Sequence, residues 1–109
     1  MKLTPLLAIC VALTCAHTMI EQEYIQLLED MKTENFEKID MMHHYTAGMK
    51  SVFTDIAIQA LYQIRQSIGG AGYSAWSGIP YIIDDFTPST TFEGDNIVMA
   101  QQSVRFLIK

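Results

Sequence analysis

Apolar positions recur at spacings of three and four from near the start of the chain: Leu6, Cys10, Leu13, His17, Ile20, Tyr24, Leu27 and Met31 share one face of a helix. The pattern predicts a single amphipathic helix of about 30 residues ending near Lys32. Pro5 is compatible with its start, where the first N–H groups have no intrahelical partner. From Thr33 to Asp40 the periodicity is lost among Glu34, Asn35, Glu37, Lys38 and Asp40, which reads as a solvated connection. A second stripe, Met49, Val52, Phe53, Ile56, Ala60, Leu61 and Ile64, predicts a helix from about Met42 to Ser67, stopped by Gly69-Gly70.

A last helix starts at Asp95 or Asn96, either of which can cap it, and carries Ile97, Ala100, Val104 and Ile108 on one face. Arg105 and Lys109 fall in its final turns, where cations suit the helix dipole. Before it, Tyr81-Ile82-Ile83 fits either a helical turn or a strand-like crossing. Asp84 and Asp85 read as a solvated acidic pair, and Thr87-Pro88-Ser89 as a turn. About three helices make the chain all-α.

The N-terminus carries a competing signal. Met1-Lys2 and the apolar run Leu3 to Ala16, with small residues near its end, have the form of a secretory leader. The apolar face nevertheless continues past Ala16 to Met31, which one long helix explains. The run is also shorter than the roughly 20 apolar residues a bilayer span requires.

With 109 residues, 50% hydrophobic and 17% charged, the chain has the make-up of one globular domain and is too apolar for a disordered segment. A net charge of -5, with seven basic residues that nowhere cluster, argues against nucleic acid or an anionic membrane surface as partner. Cys10 and Cys15 lie on one helix, separated by roughly 7.5 Å of rise, beyond comfortable disulfide reach. Two free, buried thiols are expected, in a reducing or peroxisomal compartment. His43 and His44 project about 100° apart on a helix and lack a third ligand, so they read as surface residues and no metal site is expected.

Gly70-Ala71-Gly72-Tyr73-Ser74-Ala75 satisfies a loose dinucleotide-binding pattern. That fingerprint follows a strand and opens a helix, whereas here a helix precedes it and Ser77-Gly78-Ile79-Pro80 breaks the segment after it. Gly69 to Tyr73 is either a helix stop with a tight turn or bare backbone that a cofactor phosphate or ring can approach. Tyr73 and Trp76 read as packing residues.

Glu93 lies between Phe92 and Gly94, just before the last helix. A general base has to be held, partly desolvated and left with room for substrate, and Phe92, Gly94 and the helix start could supply those three things. The competing reading is a loop acid that caps the helix.

The runs Gly69-Gly70-Ala71-Gly72-Tyr73, Ser77-Gly78-Ile79-Pro80, Phe86-Thr87-Pro88-Ser89, Thr91-Phe92-Glu93-Gly94-Asp95-Asn96 and Ala100 to Lys109 together resemble the acyl-CoA oxidases, flavoenzymes related to the acyl-CoA dehydrogenases. The similarity takes in Thr46-Ala47-Gly48-Met49-Lys50 and Lys2 to Ala8. It is loose over the first part of the chain and close from Gly69 onward. His43 also matches a histidine common in the oxidase pattern. Gly-Asp-Asn after Glu93, with Thr46-Ala47-Gly48, looks more like oxidases than dehydrogenases.

The resemblance implies that residues 1–109 form an incomplete antiparallel helical bundle of the C-terminal domain type, with 69–96 as glycine loop and catalytic segment. It implies Glu93 as the base that takes the α-proton of a fatty acyl-CoA while the β-hydrogen leaves to FAD, giving a trans-2-enoyl-CoA and, with O2, hydrogen peroxide. The thioester oxygen would be polarised by the base's own backbone N–H and by the cofactor, an oxyanion-hole device. Gly94 would keep that peptide unobstructed for substrate. Apolar surroundings, including Phe92, would strengthen the base. Gly69, Gly70 and Gly72 would approach FAD, and Asp95 and Asn96 occupy positions next to it, although capping explains those two equally well.

Kinship further implies a peroxisomal homodimer and an internal rather than secreted N-terminal helix. The family's N-terminal domains, which supply most of the pocket, lie outside these residues. The polypeptide alone is therefore expected to be catalytically incompetent, with a stripe of unburied apolar surface seeking a partner. Otherwise it is a small helical secreted or interaction protein in which Glu93 merely caps, or a fragment of an acyl-CoA dehydrogenase.

Overall fold

The computed structural model describes residues 3–108, so Met1, Lys2 and Lys109, with the dipole role expected of Lys109, lie outside the described residues. Four α-helices are present among them, α1 Thr4–Lys32, α2 Ile39–Ser67, α3 Ile79–Phe86 and α4 Asn96–Ile108, and no strand. The all-α class holds, and the expected count of about three rises to four. The added helix is the 79–86 stretch that periodicity left open between turn and strand. Gly78, at φ 72, reverses the chain; Ser77 Oγ accepts the Ile79 N–H; and Pro80 presets the first turn. Three 3₁₀ turns, Gly69–Gly72, Ala75–Ser77 and Thr87–Thr90, complete the connection.

α1 ends in a Schellman motif, the Asn35 N–H reaching Asp30 O and the Glu34 N–H reaching Met31 O, with Glu34 left-handed at φ 60. α2 begins at Ile39 rather than near Met42, because Ile39 N–H bonds Phe36 O and Asp40 favours the first turn. The loop reverses the chain, and Lys38 pairs with Asp30 across it at 3.4 Å.

α2 is the hub: α1, α3, α4 and the 69–72 and 87–90 turns all contact it, and α4 does so most extensively. As the partner number rises along α2 from His44 to Thr54, it falls along α4 from Ser103 to Asn96, so the two helices are antiparallel. Ala47 is fully buried, and a Cβ on Gly48 would lie 3.0 Å from Ser103 Oγ, so small residues let α4 close on α2.

The buried apolar core is thin: Leu6, Leu27, Met42, Ala47 and Ile83. α1 buries only Leu6 and Leu27, while Leu7, Val11 and Met19 are about two-thirds exposed. The expected unburied apolar stripe is therefore present. Cys10 and Cys15 are free, as expected, but exposed rather than buried, because little of this chain covers the middle of α1. The shortness argued against a membrane span also fails on length: α1 is the one described helix long and apolar enough to cross a bilayer by length and composition.

Candidate active site

The 91–96 segment is held from both sides. On the left, Thr91 and Phe92 N–H groups both bond Pro88 O, at 2.9 and 3.0 Å, which closes the turn from α3. On the right, Asp95 Oδ1 accepts the Ile97 N–H at 2.8 Å and Asp95 O accepts the Met99 N–H, making Asp95 the cap of α4. Between them, Glu93 and Gly94 both have positive φ, 57 and 105. A left-handed glutamate costs about 1–2 kcal/mol, a strain that persists only where the surroundings impose it.

Since Asp95 performs the capping, Glu93 has no helix-end task. Neither its carboxylate nor its backbone N–H is hydrogen-bonded among the described residues. Glu93 is exposed and Phe92 is half exposed, so the apolar enclosure expected from Phe92 is not formed among the described residues.

Asn96, expected either as cap or as cofactor neighbour, leaves the cap to Asp95. Its Oδ1 accepts from Lys50 Nζ at 2.8 Å, and its Nδ2 donates to Thr54 Oγ1 at 2.8 Å and Ser51 O at 3.1 Å. Ser51 Oγ in turn donates to Asn96 O at 2.9 Å, and Lys50 Nζ donates to Gly94 O. The amide of Asn96 is thus fully engaged by α2. Lys50 was missed as a functional candidate, although a lone cation beside the apolar stripe at Met49 and Val52 marked it out.

Toward the other end of the seam, His44 Nδ1 lies 2.8 Å from Ser103 Oγ and 2.9 Å from Ser103 O, and its ring stacks on Phe106. His43 is exposed, as expected, but His44 is half-buried and serves helix packing. The expected buried face of α4 is displaced: Ile97, Ala100, Val104 and Ile108 are exposed and line a groove of about 1010 Å³ with Val52 and Ile56, while Asn96, Met99, Ser103 and Phe106 face α2. Glu93 is not among the residues lining that groove.

The glycine loop divides in two. A Cβ on Gly72 would lie 2.2 Å from Arg65 O, so this buried glycine is explained by contact with the end of α2. Gly69, left-handed at φ 59, and Gly70 have nothing within 4 Å of a Cβ position and present bare backbone outward. That suits close approach by a planar or phosphate-bearing group. Tyr73 and Trp76, expected to pack, are instead 83% and 99% exposed, because nothing among the described residues reaches over the loop.

Residues 1–108 match the family model for the acyl-CoA oxidase C-alpha1 domain. Peroxisomal acyl-coenzyme A oxidase 1 of Mus musculus is 40% identical over 108 residues, and that of Homo sapiens 38%, each alignment covering 99% of this chain. The solved structure of Arabidopsis thaliana acyl-CoA oxidase 1 superposes with a TM-score of 0.93 at 33% identity over 98% of this chain. The chain spans 16% of the length of each of these three relatives.

Proposed function

The chain belongs to the acyl-CoA oxidase family, whose C-alpha1 domain it carries, and from that premise we propose that it supplies the proton-accepting carboxylate, Glu93, of an FAD-dependent oxidase acting on fatty acyl-CoA. The observation that carries this reading is that Asp95 caps α4, leaving Glu93 strained, exposed and without structural work. Its carboxylate takes the proton from the carbon next to the thioester carbonyl. Its unbonded N–H donates to the carbonyl oxygen as negative charge develops there. Gly94, without a side chain, keeps substrate access to that peptide open.

FAD would supply the acceptor for the β-hydrogen, which leaves as hydride, and O2 would take up that electron pair with the hydride's proton and the proton released from Glu93, yielding hydrogen peroxide. Gly69 and Gly70 would hold it by backbone approach, with Gly72 fixing the loop against α2. Asp95 retains one carboxylate oxygen beyond its cap, and Asn96 contributes by holding the helix start. The exposed Glu93 needs the rest of a complete enzyme to exclude water, and the uncovered faces of α1 and α4 fit contacts within such an enzyme and its homodimer. A peroxisomal setting goes with this reading. A secretory leader at α1 does not, because the family match runs through that helix and Leu6 is buried.

The test grafts residues 1–108 into a complete acyl-CoA oxidase in place of the matching segment. Glu93→Gln should lower turnover roughly 10²–10⁴-fold with flavin content retained. Unimpaired dehydrogenation would refute the assignment. The 109-residue chain alone should form no peroxide.

A further inference from the structure

We propose that Lys50 is a positioning residue for the proton-accepting step, and that its ammonium anchors the turn that carries Glu93 at the carbonyl of the following residue, Gly94. The inference rests on Glu93 being the base. The turn at Glu93 and Gly94 has two successive positive φ values, and one of its two residues is a glycine. Glycine moves easily between conformations, so a base beside it is held in one pose only if the peptide is tied down. Lys50 Nζ reaches from the middle of α2 to Gly94 O, the carbonyl of the residue that follows the base, and to Asn96 Oδ1 at 2.8 Å. Ser51 Oγ, from the next position on α2, holds Asn96 O at 2.9 Å.

The choice of donor also points to this role. Lys50 forms no ion pair among the described residues; its half-buried charge is met by a carbonyl and an amide. Docking two helices needs only neutral hydrogen-bond partners, which Ser51 Oγ, donating to Asn96 O, and Thr54 Oγ1, accepting from Asn96 Nδ2, already provide along the same seam. A charged donor aimed at a carbonyl makes a hydrogen bond roughly twice as strong as a neutral one. That added strength acts on the Gly94–Asp95 peptide and so ties down the C-terminal side of the turn from which the carboxylate and the Glu93 N–H project. α2, the most connected helix in the fold, thereby sets the geometry of a loop residue 43 positions away in sequence (93 − 50).

The grafted complete oxidase tests this. Lys50→Met should lower kcat per bound flavin roughly ten- to a hundredfold through misplacement of the base. KM and flavin content should stay near those of the parent, and the kinetic isotope effect of an α-deuterated substrate should rise. Lys50→Arg should recover much of the loss. Separately, in the 109-residue chain, the Gly94 carbonyl-carbon shift and the Glu93 amide-to-α-proton coupling should move in Lys50→Met. Those readings keep the test decisive if the substituted graft does not fold. An unchanged kcat per flavin and isotope effect, or unchanged Gly94 and Glu93 signals, would overturn the proposal. Glu93→Gln run alongside separates the two claims: if it retains turnover, the reading of Glu93 fails first; if it loses turnover while Lys50→Met does not, only the anchor fails.

Discussion

Asn96→Ala should destabilise the chain more than Asp95→Ala, although both residues sit at the start of α4 and either type can cap a helix. The difference comes from their partners. Asp95 holds one N–H, that of Ile97, at an exposed position, and loss of such a cap costs about 1 kcal/mol. Asn96 accepts from the Lys50 ammonium and donates to both Ser51 O and Thr54 Oγ1. A hydrogen bond to a charged group contributes about 1.5–3 kcal/mol and a neutral one about 0.5–1.5. The site is only part-buried, so water can replace some of these partners, and a loss of about 2–4 kcal/mol is expected for the alanine variant. Urea unfolding of the 109-residue chain, followed by far-ultraviolet circular dichroism at fixed protein concentration, measures both variants. A double-mutant cycle with Thr54→Val should give a coupling of about 0.5 kcal/mol or more. A cost for Asn96→Ala at or below that of Asp95→Ala would refute the assignment of Asn96 to the α2–α4 seam.

Gly72→Ala should destabilise by about 1–3 kcal/mol, because its Cβ would meet the Arg65 carbonyl at 2.2 Å and backbone cannot swing aside. Gly70→Ala should leave the isolated chain's stability unchanged while lowering flavin content in the grafted oxidase, a split readable by thermal melting and flavin absorbance. The Asp30 carboxyl is held below its ordinary value by the Gln26 amide and, against some desolvation, by Lys38. A folded-state value below the unfolded one means stability present above pH about 4 and lost as pH falls through the lower folded value. Asp30→Asn should therefore flatten the acid limb of an unfolding-midpoint-against-pH plot; an unaltered limb would count against the Gln26–Asp30 hydrogen bond first and the Lys38–Asp30 contact with it.

Three of the four helices were legible as periodicity, because a helix that buries one face must repeat apolar residues along it whatever lies opposite. The stop at Gly69-Gly70, the solvated connection read from Thr33 to Asp40, whose last two residues join α2, and the family motifs were legible for the same local reason: each is written in neighbouring residues. The eight-residue α3 was not, since two turns are too short to separate helical from alternating spacing.

What covers a face is a different matter. Periodicity marked Ile97, Ala100, Val104 and Ile108 as core, yet the neighbouring stripe of Asn96, Met99, Ser103 and Phe106 meets α2, because that is where Gly48, Ser51 and Thr54 offer close approach and hydrogen-bond partners. The same holds for Cys10 and Trp76, apolar by type but uncovered, and for His44, half-buried on Ser103 and Phe106. Sequence by itself determined three of the four helices and singled out the glycine loop and Glu93 as candidates. Only the tertiary structure decided that Asp95 caps, that Asn96 and Lys50 bridge, and that Glu93 is left unbonded, because hydrogen bonds between residues more than 40 positions apart depend on how two helices are docked and leave no local periodicity to read.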